Sequence, residues 1–204
     1  MLKKKNIRNL SLEELSLFFK KHGIAKFRSK QVYEWLWKKK ACNFDEMTSL
    51  SISDRELLKN YFSINALTIH KSEKSSDGTI KYSLKLFDNK LVEGVLIPSR
   101  KRLTACVSSQ AGCSLSCTFC ATGTLKLERN LDFGEIYDQV FILNEEAKQN
   151  FGRPLSNIVY MGMGEPLLNY DNLIKSINLI SSKDGLSMSP KRITVSTAGI
   201  AKMI

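Results

Sequence analysis

The sequence holds no run of 18 apolar residues, which excludes a membrane-spanning helix. Its opening residues, M-L-K-K-K-N-I-R-N-L-S, are basic but lack the apolar core of a secretory signal, so a cytoplasmic protein with no membrane partner is expected. Internal repeats and low-complexity tracts are absent, which sets aside repeat architectures and disordered tails. Histidine is scarce: His22 and His70 are the only two. Acidic residues are also in short supply, 20 against 31 Lys plus Arg, for a net charge of +11. The surplus is uneven. Residues 1–60 hold 14 basic and 7 acidic side chains, and residues 61–204 hold 17 and 13. A basic first third suits a polyanion, most often nucleic acid, although a soluble basic surface with no partner has the same composition. What is present is ordinary for a folded chain. Apolar residues make up 43% and charged residues 25% of 204 positions, enough for one large or two small domains.

Patterning divides the chain into three parts. Residues 9–22 predict a helix with Ser11 and Glu14 as a capping box and Gly23 as its stop. Residues 28–40 predict a second helix, capped by Ser29 and with Val32, Trp35 and Leu36 on its apolar face. A third is expected over 53–62. Residues 64–70 and 79–87 alternate apolar and polar, and D-N-K 88–90 turns into L-V-E-G-V-L-I-P; with S-D-G 76–78 as the first turn, residues 64–98 read as a β meander. From Arg102 the rhythm becomes strand, loop, helix. Strands are expected after Arg102, at 157–163 and at 192–197, and helices over 132–148 (capped by Asp132) and 171–182 (capped by Asp171). That alternation implies a parallel sheet. The expected class is α/β, with a basic helical RNA-binding domain at 1–62, a linking meander at 63–98 and a β/α domain from 99 onward.

Four of the five cysteines fall between Cys106 and Cys120, in C-V-S-S-Q-A-G-C-S-L-S-C-T-F-C-A-T-G. Such a cluster in a cytosolic chain reads as metal or redox chemistry and not as a disulfide framework. Cys113, Cys117 and Cys120 have the spacing C-x3-C-x2-C. Structural zinc usually takes four ligands as two separated pairs, and both histidines lie far off. Three thiolates on a four-iron cubane leave one iron open to a substrate's amino and carboxylate groups. Cys106 falls in an expected strand, where its side chain need not face the loop. Zinc remains the rival reading, and Cys42 reads as a core cysteine.

The C-x3-C-x2-C loop after a first strand resembles the radical S-adenosylmethionine (SAM) superfamily. The longer segments S-S-Q-A-G-C-S-L-S-C-T-F-C-A-T-G, M-G-M-G-E-P-L-L-N and R-I-T-V-S-T-A-G resemble the RlmN family of RNA methyltransferases, from about residue 8 to residue 204. The resemblance implies methylation of adenine C2 in 23S rRNA and in tRNA next to the anticodon. It implies a partial β/α barrel, a [4Fe-4S] cluster on Cys113, Cys117 and Cys120, S-adenosyl-L-methionine as cofactor, a 5′-deoxyadenosyl radical, and an external one-electron reductant such as flavodoxin or ferredoxin. By the same resemblance Gly164, Glu165 and Ser196 contact S-adenosylmethionine, Glu93 accepts a proton, and Cys106 pairs transiently in a disulfide.

Each of these residues also has a plain structural reading: a turn at Gly164, a solvent-facing carboxylate at Glu93, a buried strand thiol at Cys106. Phe119 is expected to shield the cluster. Trp35 and Trp37 could stack on bases, with Trp35 the better core candidate. The family continues past residue 204 with further strands and a second catalytic cysteine, so the 204-residue chain alone is expected to be inactive and poorly soluble. The related adenine-C8 methyltransferase and a non-catalytic RNA-binding module with a remnant cluster loop are the alternatives.

Overall fold

The computed structural model describes residues 4–203 and divides at Ala66/Leu67 into two compact units. None of the helices among the described residues is long and apolar enough to cross a membrane.

The first unit is closed by a parallel pair, β1 (Lys5–Asn6) on β2 (Phe62–Ser63), with three helices between. α1 (Leu12–Lys21) starts on the Ser11–Glu14 capping box and buries Leu15 and Phe19. α2 (Phe27–Trp37) begins earlier than expected, and Ser29 is not its cap. Ser29 lies inside the helix, 1% exposed, where its hydroxyl donates to the Lys26 carbonyl at 2.6 Å and shares a hydrogen bond with Ser16 Oγ at 2.7 Å. A small residue is what the close approach of two helices requires at that point. The tryptophans also exchange roles. Trp37 is 1% exposed, under the guanidinium of the equally buried Arg8 at 5.2 Å. Trp35 is half-buried, donates to Ser49 Oγ at 2.8 Å and carries Lys39 Nζ 3.8 Å above its ring. α3 (Ile52–Tyr61) is capped by Ser51 and begins one residue ahead of the expected start at 53.

The second unit is one six-stranded sheet. β3 (Thr68–Lys74), β4 (Ile80–Lys85), β5 (Leu91–Pro98) and β6 (Leu103–Cys106) form an antiparallel run. β7 (Gln110–Ala111) and β8 (Arg129–Asn130) make a separate ribbon. α4 (Phe133–Phe151) then leads to β9 (Asn157–Tyr160), and α5 (Tyr170–Ser181) to β10 (Ile193–Val195). The sheet order is β10-β9-β6-β5-β4-β3, with β6, β9 and β10 parallel. The meander and the β/α part therefore share a sheet. Pro98 ends β5 opposite Leu103, and the tight turn Ser99–Arg102 carries the chain straight into β6, so a boundary placed at Pro98 falls inside a hairpin. α4 takes the expected Asp132 cap, as a capping box with Glu135, whereas α5 begins at Tyr170 and Asp171 lies in its first turn.

Both crossover helices cover the same sheet face. The missing side chain of Gly94 makes room for Leu143 of α4, and Tyr160 on β9 shares a hydrogen bond with Ser176 of α5 at 2.9 Å. Residues Val92, Gly94, Leu96, Ala105 and Ile158 point to that side and are buried. The register Val95↔Cys106↔Val159↔Thr194 puts those residues, and Glu93 two positions from Val95, on the opposite, open face.

Candidate functional site

Parallel strands collect loops at their carboxyl ends, and here β6, β9 and β10 bring three of the sequence-identified segments to one end of the sheet. β6 runs into the cysteine loop, β9 into Gly164–Glu165, and β10 into Ser196. The strands stay paired beyond their formal ends: Val107 N–H donates to the Val159 carbonyl and Gly162 N–H to the Val107 carbonyl, both at 3.0 Å.

The cysteine loop hangs from the ribbon of β7 on β8, which pairs Gln110 with Asn130 and Ala111 with Arg129. Gly112, next in line, has φ +77°, and a Cβ there would lie 2.1 Å from the Lys126 carbonyl oxygen, so only glycine closes this neck. Beyond the neck the backbone turns through Cys120 N–H to Cys117 carbonyl (3.1 Å) and Gly123 N–H to Cys120 carbonyl (2.9 Å). Cys113, Cys117 and Cys120 are free thiols of intermediate exposure, and Leu115 N–H already points at Cys113 Sγ, 3.4 Å away. Among the described residues their sulfurs do not converge into a three-ligand group. The donor set itself fits the expected cluster: three uncommitted thiols on one loop, with His22 in the first unit and His70 on the edge strand β3. No cysteines are bonded to each other among the described residues, so the expected disulfide has no counterpart. Phe119 is 91% exposed and points to solvent, contrary to the shielding role expected of it.

Cys106 belongs to β6 and not to the loop. It is 9% exposed, and burial pushes its thiol pKa up, partly opposed by the Met161 backbone N–H donating to it. Glu93 shares the open face with Cys106. Its side chain is half exposed, with Lys81 Nζ at 3.5 Å, as a plain strand carboxylate would be. Ser196 is exposed at the end of β10, its N–H directed at the Tyr160 carbonyl at 3.4 Å.

Glu165 is the most firmly held of the candidates. It is 4% exposed. Oε1 accepts from Leu167 N–H (2.9 Å) and Thr197 Oγ1 (2.7 Å), and Oε2 from Ala198 N–H (2.8 Å). The carboxylate thus ties the end of β9 to the end of β10. Gly164 before it has φ +92°, and a Cβ there would fall 2.4 Å from Gln110 Cβ.

Sequence reasoning missed what anchors these loops. Ser108, 0% exposed, donates to the Glu93 carbonyl (2.7 Å) and accepts from Met163 N–H (2.8 Å), joining β5, β6 and β9 at one hydroxyl. Gln110 accepts from Glu165 N–H (2.9 Å) and donates to Asn130 Oδ1 (2.7 Å). Gln139 of α4 pairs with both backbone groups of Ser108, each at 2.9 Å, and Asn169 donates to the carbonyls of Ser109 and Leu131, each at 2.8 Å. Arg129 forks between Asp88 in the β4–β5 turn (2.7 and 3.1 Å) and the buried Glu135 at the start of α4 (2.7 and 2.8 Å). Glu135 first, and then Asp88, hold the Arg129 guanidinium even more firmly charged than usual; in return Arg129 holds the Asp88 carboxyl below the ordinary carboxylate range. Lys90 pairs with Glu128 on the same flank, beside a cavity of about 570 Å³ that reaches Gly112 and Met163. The S-S-Q run was visible as a motif. Its partners lie 15 to 60 residues away, and no local pattern encodes them.

Two family models match the chain. Residues 5–64 match the ribosomal RNA large subunit methyltransferase N-terminal domain, and residues 107–202 match the radical SAM superfamily. A probable dual-specificity RNA methyltransferase RlmN of Cytophaga hutchinsonii is 59% identical over 203 residues, covering 100% of this chain and 56% of the relative. A dual-specificity RNA methyltransferase RlmN of Oleidesulfovibrio alaskensis is 48% identical over 198 residues, covering 96% and 55%. Among solved structures, a radical SAM methyltransferase from Sphaerobacter thermophilus superposes with a TM-score of 0.83 at 36% identity, over 96% of this chain and 57% of that one. The chain spans about half the length of the curated relatives it matches. With both family models in order and near-complete coverage by these relatives, the chain belongs to the RlmN family of the radical SAM superfamily.

Proposed function

We propose that this chain carries the cofactor-binding part of a cytoplasmic RNA methyltransferase acting on adenine C2 in 23S rRNA and in tRNA next to the anticodon. Membership of the family implies a [4Fe-4S] cluster and S-adenosylmethionine. The observation that carries the reading is the gathering of the cysteine loop, Gly164–Glu165 and Ser196 at the carboxyl ends of three parallel strands, beside an open face bearing Glu93 and Cys106. Cys113, Cys117 and Cys120 would ligate the cluster. When bound, the cluster and S-adenosylmethionine supply one-electron chemistry, which C2 of adenine, a carbon with no nucleophilic character, requires.

The chain's own residues orient and protect. Gly164 and Ser196 offer backbone and hydroxyl groups to S-adenosylmethionine. Glu165 holds their turns in place, and since a carboxylate has about four acceptor positions, one is left for the cofactor's ammonium after the three it uses internally. Glu93 is available as a proton acceptor on the open face. Cys106 lies on the same face, as a buried thiol whose pKa is raised by burial, which makes it less reactive than an exposed cysteine. An external flavodoxin or ferredoxin would deliver the electron.

Two experiments test this. Anaerobic reconstitution of the chain is expected to give a brown, oxygen-sensitive protein with about four irons and acid-labile sulfide. Alanine at Cys113, Cys117 or Cys120 abolishes it, and Cys42→Ala does not. A single tight zinc without sulfide would contradict the reading. For methyl transfer, the chain joined to the remaining residues of the Cytophaga hutchinsonii relative is assayed with reductant, labelled S-adenosylmethionine and unmodified RNA. Label in 2-methyladenosine supports the reading; label in 8-methyladenosine overturns its regiochemistry.

A further inference from the structure

The first unit contains a groove that the cluster chemistry leaves unused. It runs between α1 and α2, encloses about 900 Å³, and is floored by Leu12, Leu17, Ile24 and Phe27. Leu17 is 66% and Phe27 56% exposed, large apolar surfaces for a unit of this size. Arg28 covers one side of the Phe27 ring at 5.0 Å and is itself held by the Ser49 carbonyl (2.8 Å) and Asp54 (3.7 Å), so the ring is braced from behind.

The groove is rimmed by Lys20, Lys26 and Lys30. Some lysines are held by carboxylates, as Lys59 is by Asp45 and Glu56 and Lys71 by Glu73, and are to that extent neutralised. Among the described residues no carboxylate pairs with Lys20, Lys26 or Lys30. Glu13 is the one acidic residue lining the groove. A braced, half-open aromatic ring beside unpaired cations suits a flat base with phosphates on either side of it. The surplus of 12 basic over 3 acidic residues in positions 1–40 extends well beyond this rim, which favours a long polyanion over a short acidic helix.

We infer that the α1–α2 groove binds single-stranded RNA by taking one unstacked base against Phe27 and Leu17, with the adjoining phosphates on Lys20, Lys26 and Lys30. The inference rests on the reading that RNA is the partner of this protein, and adds where an unpaired stretch of it is gripped.

The test is fluorescence anisotropy of the 204-residue chain with a labelled single-stranded oligoadenylate of about eight nucleotides, repeated over a range of salt. Phe27→Ala is expected to weaken binding about tenfold with little change in salt slope, and Phe27→Trp to retain it. Replacing Lys20, Lys26 and Lys30 by Gln lowers the log–log salt slope by about 2. Glu13→Gln tightens binding, and Lys148→Gln in the second unit leaves it unchanged. All these side chains are exposed, so melting temperatures stay at the parent value. Unchanged affinity and slope in the Phe27 and lysine variants, with the parent still binding, would overturn the groove and leave the RNA reading standing. Absence of any binding by the parent would remove both. Tighter binding of a labelled polyglutamate peptide, displacing the oligonucleotide, would assign the groove to an acidic protein segment instead.

Discussion

The stem and the tip of the cysteine loop differ in how they are held. At the stem, Ser108, Ser109 and Gln110 are at most 1% exposed and are hydrogen-bonded to α4, β5 and the Gly164–Glu165 turn. At the tip, the three cysteines have intermediate exposure, the turns are held mainly by short-range bonds, and Phe119 stands 91% in solvent. A buried, fully satisfied network fixes its members in one arrangement. A loop bound only at its neck can rearrange its side chains around an inorganic core without disturbing the sheet. The difference teaches that the fold fixes the neck of the loop and leaves its three thiols to be arranged by whatever they close upon, which on the proposed assignment is the cluster.

The largest effects are expected where the stem is broken. Gly164→Ala forces a Cβ to 2.4 Å from Gln110 at φ +92°, and Gly112→Ala forces one to 2.1 Å from a backbone oxygen. Each should cost about 3 kcal/mol or more in urea unfolding. Gly152→Ala, at φ +66° with nothing within 4 Å, should cost only about 1 kcal/mol. Arg129→Ala strips the 1%-exposed Glu135 of its bidentate partner and should cost about 3 kcal/mol. Ser108→Ala, which orphans the Met163 N–H, should cost about 2 kcal/mol. At the tip, Cys113→Ala or Cys117→Ala should change the stability of the metal-free chain by under about 0.5 kcal/mol; a loss like that of Ser108→Ala would erase the contrast.

A smaller effect concerns pH. Asp88 has its pKa lowered in the folded state by Arg129, so the stability it contributes is present above the unfolded carboxylate pKa and is lost as pH falls through the folded value. The fall in stability on acidification should therefore be shallower in Asp88→Asn than in the parent. An identical pH profile would show that the Asp88–Arg129 contact does not form in solution. Smallest is a difference in rate. Iodoacetamide should label the exposed Cys42 before the buried Cys106, whose thiol pKa is raised by burial.

Much of this arrangement is legible in the sequence wherever the determinants are local. The capping boxes Ser11–Glu14 and Asp132–Glu135, the turns at Gly78 and Asn89, and the β/α rhythm after Arg102 all follow from neighbours within four residues. The C-x3-C-x2-C spacing is legible for the same reason. Ser29 has a sequence position that suits a cap, while helix packing claims it for the core. Trp35 and Trp37 lie on different sides of α2, and the packing that buries Trp37, which includes Arg8 far off in sequence, is not visible in the local pattern. The Pro98 boundary fails because a proline at a strand end removes no ladder hydrogen bond that the hairpin needs. The anchoring side chains were invisible in kind: Arg129 meets Asp88 across 41 residues, and Asn169 meets Ser109 across 60.

Hydrogen exchange of backbone amides, before and after anaerobic reconstitution with iron and sulfide, tests the contrast between stem and tip most directly. The account predicts slow exchange at residues 108–110 and 162–165 in both states, and at residues 113–123 fast exchange that becomes slow only when the cluster is bound. Equal protection of 113–123 in both states, or loss of protection at 108–110 on reconstitution, would contradict it.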